Sequence, residues 1–264
     1  MASFINSIRL PAKRSFSWRA LWILAALQLL GNVLSIPTLI ASNITVEPLS
    51  AWILWTTLSI PVIGTALFLG APLLEGYLTG ENRGNWVKSI FGISILIPVA
   101  AVPFIIFINQ NIDPQGYQST WKLILASIDA GVQEELFSRL FLVTGLAWLG
   151  SLIWHEADGR PTPANLWIAI LLSALAFGWA HIDDKLSIPG AAPGDIVLLM
   201  LVTTILGMIF GVLYWKLGIE CAVLTHFTFD AIAFDLNVPA YISNKPIVQV
   251  VVQVVVLIGF QILV

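Results

Sequence analysis

The chain has 264 residues, of which 58% are hydrophobic and 10% are charged, and its formal net charge is -3. A soluble domain carries about 25% charged residues, so this composition excludes an ordinary soluble protein and indicates an integral membrane protein. The slightly acidic balance argues against a nucleic-acid partner. The single cysteine, Cys221, excludes an internal disulfide and is predicted to be a packing residue.

Apolar runs of about 20 residues can cross a bilayer as helices. Eight such runs lie at 19–41, 50–73, 87–109, 121–154, 165–182, 195–215, 219–236 and 246–263. We therefore predict an all-α, polytopic bundle of about eight transmembrane helices, with a basic, cytoplasmic N-terminal segment at 1–18 and one membrane domain at 19–264. The fourth run is long enough to contain a span together with an extension or a break.

The distribution of basic residues predicts the orientation of the bundle, because cytoplasmic loops are enriched in lysine and arginine. With the N-terminus inside, eight basic residues fall on the inner side and three on the outer side. The inner set is Arg9, Lys13, Arg14, Arg19, Arg83, Lys88, Arg160 and Lys216, and the outer set is Lys122, Lys185 and Lys245. We expect a multi-pass protein of the cell inner membrane with both termini in the cytoplasm.

The fourth run contains two adjacent glutamates and an arginine in the sequence QEELFSRLFL. A charge at the centre of a bilayer costs roughly 2.5–3.5 kcal/mol even on lenient scales, so such residues usually face a bundle interior and serve a function. Glu135 and Arg139 are four residues apart, which allows them to form an ion pair on one helix face. Glu134 is about 100° further round the helix and lacks such a partner, which makes it a candidate general base.

Two further runs carry histidines in apolar surroundings. Phe177 and His181 share one helix face near the end of the fifth run, and His226 and Asp230 share a face in the seventh. Because polar stripes in a membrane are buried most cheaply against each other, we expect the fourth to seventh spans to line one polar cavity. Phe177 is interpreted as a packing residue, and the third histidine, His155, as a loop residue.

These three motifs, Glu134-Glu135-x-x-x-Arg139, Phe177-x-x-x-His181 and His226-x-x-x-Asp230, resemble those of the CPBP family. This family includes CAAX prenyl protease 2 and the bacteriocin-processing and immunity (Abi) proteins. The resemblance covers Leu123 to Asp235, with the core at about 121–236. It implies an intramembrane endopeptidase of about eight helices.

The resemblance also implies site roles. Glu134 would activate a water together with His181, and His226 with its partner would stabilise the oxyanion. The chain departs from the prenyl proteases at Asp230, where those enzymes have asparagine, because an ionised aspartate cannot donate to an oxyanion.

The chemistry of these residues points to peptide hydrolysis independently of the resemblance. This reaction needs an activated water, an acid for the leaving amine and donors for the oxyanion. Glu134 can be the base, His181 can hold the water, and His226 can donate while Asp230 orients its ring. Glu135 and Arg139 would support the site as an ion pair. Glu134, His181 and His226 also form a possible set of ligands for a divalent metal such as zinc, although H-E-x-x-H is absent.

The favoured function is an intramembrane protease acting on a membrane-embedded or lipid-modified peptide within the lipid bilayer. A non-catalytic scaffold or immunity protein of the same fold and, less favoured, a proton-coupled carrier remain as alternatives. If the protease interpretation is right, the polar atoms of Glu134, His181 and His226 should lie roughly 3–8 Å apart, with space for a water. Asp230 should lie next to His226.

Overall fold

A computed structural model describes residues 17–41, 46–71, 83–101, 120–182 and 193–232, and these residues contain helices and no strand. The helices are α1 (Trp18–Ala41), α2 (Val46–Phe68), α3 (Arg83–Ala100), α4 (Thr120–Glu135), a π-helical segment (Leu136–Val143), α5 (Thr144–Ser151), α6 (Pro163–Ala180), α7 (Pro193–Leu217) and α8 (Ile219–Asp230). The predicted all-α class is therefore confirmed.

Each of the first seven apolar runs falls on a described helix, while the eighth, at 246–263, lies outside the described residues. Two segments, Pro163–Ala180 and Ile196–Leu217, are long and apolar enough to cross a membrane, judged by length and composition among the described residues. The count of eight membrane helices stays a prediction, as does the separate N-terminal segment at 1–18.

The fourth run, which was long enough for a span with an extension or a break, forms one continuous helical rod from Thr120 to Ser151 that includes the π-helical segment. The N–H of Thr144, for example, bonds to the carbonyl of Arg139, five residues earlier. A π segment adds about one residue to a turn, and such segments are often found at functional sites. Here it begins directly after the two glutamates, so it determines how they are turned relative to α5.

The hydrophobic core lies where the rod meets α2, α6 and α7. Ile63, Leu140, Ile170 and Tyr214 are almost completely buried in it. A second apolar cluster joins α7 to α8 and contains Cys221, which is fully buried and unpaired, as expected for a packing residue.

Helix α6 begins at a defined residue, because Thr162 caps it by accepting a hydrogen bond from the N–H of Asn165 and Pro163 occupies its first turn. The preceding loop turns at Gly159, which has a φ of 81°. In this exposed loop Arg160 hydrogen-bonds to Asp158 and holds the pKa of that carboxyl below its usual value. With its start determined in this way, α6 places His181 directly after its last residue.

Glycines allow α6 and α7 to approach closely. A Cβ on Gly211 would lie 2.7 Å from Cγ2 of Ile170, and one on Gly207 would lie 3.0 Å from Cα of Ala174. Gly207 and Gly211 form a G-x-x-x-G pattern, which permits helices in a membrane to pack this closely. Gly131 likewise allows α4 and α8 to approach closely, since a Cβ added at this position would lie 3.0 Å from the backbone nitrogen of Phe227. The last contact brings the glutamates of the rod next to His226.

We expect Gly211→Ala to destabilise the protein by about 1–3 kcal/mol, because the added methyl group overlaps Ile170 in a packed core. The measurement is thermal unfolding of the purified protein in detergent. Gly145→Ala is the matched control, since no atom lies within 4 Å of a Cβ at that position. Equal melting temperatures for the two variants would show that α6 and α7 do not need this close approach.

Candidate active site

The predicted pair of Glu135 and Arg139 is present and fully buried. Nε of Arg139 lies 3.2 Å from Oε2 of Glu135, at side-chain exposures of 1% and 0%. A terminal nitrogen of Arg139 also donates to the carbonyl of Gly207 on α7, at 3.3 Å. The guanidinium carbon lies 4.5 Å from the ring centre of Phe177 and 5.6 Å from that of Phe210. The arginine is thus held by a carboxylate, a carbonyl and two aromatic faces.

The second oxygen of Glu135 binds His226. Oε1 lies 2.8 Å from Nδ1 of the imidazole, and His226 is buried. Because a carboxylate can only accept, Nδ1 carries the hydrogen and Nε2 is the nitrogen that faces the cavity. The ring stacks on Phe210 with centroids 4.8 Å apart, which limits its rotation. Sequence reasoning gave Asp230 this orienting role and missed Glu135, because no local pattern relates residues that are 91 positions apart.

Glu134, the neighbouring carboxylate, faces both histidines. Its Oε2 lies 3.9 Å from Nε2 of His181 and 3.8 Å from Nε2 of His226. This oxygen is buried and has no hydrogen-bond partner among the described residues, although the side chain as a whole is 36% exposed. The separations are too long for direct hydrogen bonds and suit an intervening water.

A hydrogen bond to the backbone holds the ring of His181 in one orientation. Its Nδ1 lies 2.8 Å from the carbonyl oxygen of Phe177, one turn earlier. A carbonyl accepts, so Nδ1 donates and Nε2 presents its lone pair toward Glu134. Phe177 therefore does more than the packing predicted for it, because its ring also contacts both histidines, at centroid distances of 4.6 Å from His181 and 6.0 Å from His226.

Asp230 lies one turn after His226, with Oδ2 3.5 Å from Nε2 of that histidine. Its side chain is 15% exposed, and it contacts the same ring nitrogen of His226 that faces Glu134. The structure thus brings together Glu134, Glu135, Arg139, His181, His226 and Asp230, and the separations of Glu134 from the two histidines, 3.9 and 3.8 Å, lie within the expected range. His155 lies apart in the loop before α6, where its Nδ1 is 2.9 Å from the carbonyl of Ser151.

The donor set does not fit the metal site considered from the sequence. Zinc ligands lie about 2.0–2.2 Å from the metal. No group of three His, Cys, Asp or Glu residues within the described ranges is placed to hold a metal ion. The metalloprotease interpretation is therefore not supported by this arrangement, and the chemistry below uses no metal.

Residues 116–232 match the family described as type II CAAX prenyl endopeptidase Rce1-like. The matched segment contains the whole candidate site, from Glu134 to Asp230, and it confirms the resemblance drawn from the three motifs. Members of this family are membrane proteases. Comparisons with curated proteins and with solved structures gave no match.

We expect Arg139→Met to destabilise the protein by about 3–5 kcal/mol, because it leaves the buried carboxylate of Glu135 without a cation. Denaturant unfolding in detergent micelles gives the free energy. The matched control is Arg160→Met, which breaks a partly exposed pair with Asp158 and should change stability little. If Arg139→Met does not fold, Arg139→Lys keeps the charge and should give a smaller loss. A loss no larger than that of Arg160→Met would contradict the structural importance of the buried pair.

Proposed function

We propose that this chain, in which residues 116–232 carry an Rce1-like domain, is an intramembrane endopeptidase that hydrolyses a peptide bond with a water activated by Glu134. The observation that carries the proposal is the position of Oε2 of Glu134. It lies 3.9 and 3.8 Å from the Nε2 atoms of two histidines that are each oriented through Nδ1, and it has no hydrogen-bond partner of its own in the described structure.

The 3.9 Å separation between Oε2 of Glu134 and Nε2 of His181 is one that a bridging water can span. Both groups are acceptors at the atoms that face each other, so one water can donate one hydrogen to each at about 2.8 Å. Its oxygen lone pairs then point away from both side chains, toward the position where a carbonyl carbon can enter. This arrangement orients the nucleophile before the reaction starts, which removes part of its entropic barrier.

The reaction follows from these positions. Glu134 accepts one proton as the water oxygen bonds to the carbonyl carbon, and the carbonyl electrons move onto oxygen to form a tetrahedral oxyanion. His226, when protonated at Nε2, donates to that oxyanion. Glu134 then passes its proton to the leaving nitrogen as the carbon–nitrogen bond breaks. Glu135 acts as a positioning residue, because it holds the ring of His226 from behind.

Asp230 is the residue where this chain differs from the prenyl proteases. Its oxygen lies 3.5 Å from Nε2 of His226, on the side of the space where the oxyanion forms. As a carboxylate it can hold the imidazolium in place, and as a carboxylic acid it can donate a hydrogen bond itself. We assign it to the oxyanion side of the site in either form.

Partial exposure favours a catalytic function over a structural one. A scaffold that used the polar cluster only to join helices would bury all of its members, as Glu135 and Arg139 are buried. Glu134 and His181 instead retain 36% and 29% side-chain exposure, and Oε2 of Glu134, although buried, has no hydrogen-bond partner among the described residues. Since the bundle lies in lipid, the substrate proposed is a membrane-embedded or lipid-modified peptide.

Glu134→Gln should lower the rate of hydrolysis by roughly 10²–10⁴-fold, because the amide keeps the size of the side chain but cannot accept the proton. The measurement is peptidomics of membranes that contain the wild-type or the variant protein, together with a melting curve of each. The matched control is Glu156→Gln, at an exposed glutamate in the loop before α6. A folded Glu134→Gln protein that yields the wild-type set of peptides would overturn the proposed function.

Asp230→Asn should retain activity or raise it, because an amide nitrogen can donate to the oxyanion and the negative charge beside it is removed. Asp230→Ala should lower activity, since it supplies no donor, by up to roughly 10²–10³-fold if the group acts as a full oxyanion donor. Release rates of the peptides identified above give the comparison. If Asn is as inactive as Ala, the carboxylate itself is needed and the donor role is wrong.

A further inference from the structure

The buried hydroxyl of Ser173 on α6 forms a hydrogen bond to a different helix. Its Oγ donates to the backbone carbonyl of Ser138, in the π-helical segment, at 2.6 Å. Ser173 is 2% exposed and Ser138 is 5% exposed, so this bond is shielded from water. A hydroxyl within a helix can instead bond to a carbonyl three or four residues earlier in its own helix. Three threonines of α7 and α8 do so, namely Thr203, Thr225 and Thr228.

The acceptor carbonyl lies in the widened part of the rod. π-Helical turns are rare, and they occur mostly as single insertions within α-helices, frequently at functional sites. Within Leu136–Val143 and at its end the bonding differs from that of an α-helix, since the N–H of Thr144 reaches the carbonyl of Arg139, five residues earlier. Return to an α-helical register would turn α4 by about one residue, or about 100°, relative to α5. A contact that holds the π segment therefore also determines where Glu134 and Glu135 point.

The donor lies on the face of α6 that leads to the candidate site. Ser173, Phe177 and His181 follow one another at intervals of four residues and therefore lie along one side of the helix. The carbonyl of Phe177 accepts the hydrogen bond from Nδ1 of His181. On the rod, Ser138 lies four residues after Glu134, the carboxylate that His181 faces. The hydrogen bond between the two serines thus joins the same two faces that carry Glu134 and His181.

We propose that Ser173 is a positioning residue for the reaction. Its hydrogen bond to the carbonyl of Ser138 sets the register of α6 against the rod, and with it the 3.9 Å separation between Oε2 of Glu134 and Nε2 of His181. The hydrogen bond and its effect on this separation are properties of the fold, and only the effect on catalysis rests on the proposed function. Ser173 is buried and acts through these two groups, so its loss should lower kcat and leave KM unchanged.

Selective isotope labelling isolates the backbone groups that test this. Ser138 is the one serine in the sequence that is followed directly by arginine, so ¹³C-carbonyl serine and ¹⁵N-arginine give a single HNCO signal. His181 is the one histidine preceded by alanine, so ¹³C-carbonyl alanine and ¹⁵N-histidine isolate its amide in the same way. The proteins, made by cell-free synthesis in detergent, are the wild type, Ser173→Ala and Ser151→Ala. The last is the matched control, because its hydroxyl bonds to the carbonyl of Trp148 in its own helix, also at 2.6 Å.

We expect Ser173→Ala to shift the carbonyl carbon signal of Ser138 upfield, because that carbonyl loses a hydrogen bond, and to shift the amide signal of His181 as well. Ser151→Ala should leave both signals in place. An unchanged Ser138 signal in Ser173→Ala would show that the hydrogen bond is absent. A shifted Ser138 signal with an unchanged His181 signal would show that the bond does not position the site. Either result overturns the proposal, and neither measurement needs catalysis.

The rate comparison uses a peptide that is released in wild-type membranes and not in membranes with Glu134→Gln. Ser173→Ala should lower kcat for this peptide by roughly 10–10²-fold with KM unchanged, because a displacement of about 1 Å can cost 10²-fold. Ser173→Thr keeps the hydroxyl and should restore both the Ser138 signal and the rate. A wild-type rate in Ser173→Ala overturns the positioning role, as does a restored signal without a restored rate in Ser173→Thr.

Failure of the proposed function has a different signature. If no peptide distinguishes the wild type from Glu134→Gln, the protease function is rejected, and the catalytic part of the positioning role is rejected with it. The signals of Ser138 and His181 would still decide whether Ser173 sets the geometry of the polar cluster.

Discussion

The buried triad of Arg139, Glu135 and His226 is the constraint on which the rest of the site depends. Its glutamate uses both oxygens, one for the guanidinium at 3.2 Å and one for the imidazole at 2.8 Å. Arg139 in turn donates a hydrogen bond to the carbonyl of Gly207 on α7. Three separate segments, the rod, α7 and α8, are thereby held by charged hydrogen bonds in a low-dielectric interior. Separating these segments would leave a charged group buried without its partner, which costs several kcal/mol of folding free energy, roughly 3–5 by the usual estimate. The contacts therefore hold the three segments in one arrangement.

The contrast between the two adjacent glutamates follows from this triad. Glu135 is fully buried, neutralised by a cation and used for positioning. Glu134, one residue earlier and about 100° round the helix, is instead approached by two Nε2 atoms at nearly equal distances. The π-helical segment that begins at Leu136 sets the angle between these carboxylates and the remainder of the rod. Two identical side chains thus have different chemistry because of where the backbone turns them.

Small and aromatic residues make the approach of the helices possible. Gly131 lets the backbone of α4 meet that of α8, while Gly207 and Gly211 do the same for α7 and α6. The rings of Phe177 and Phe210 then fill the space around the cations and imidazoles. In lipid there is little hydrophobic force between helices, so close packing of this kind and polar contacts supply the association.

The sequence by itself determined the helical class, the approximate position of seven helices, the Glu135–Arg139 pair and the set of polar residues that converge. These follow from local rules, since apolar run length and a four-residue spacing do not depend on the rest of the fold. Only the tertiary structure decided that Glu135 rather than Asp230 holds Nδ1 of His226, that Phe177 supports both histidines and that the rod contains a π segment. Each of these depends on contacts between residues far apart in the chain or on packing against a neighbouring helix, and no periodicity in a single segment encodes either.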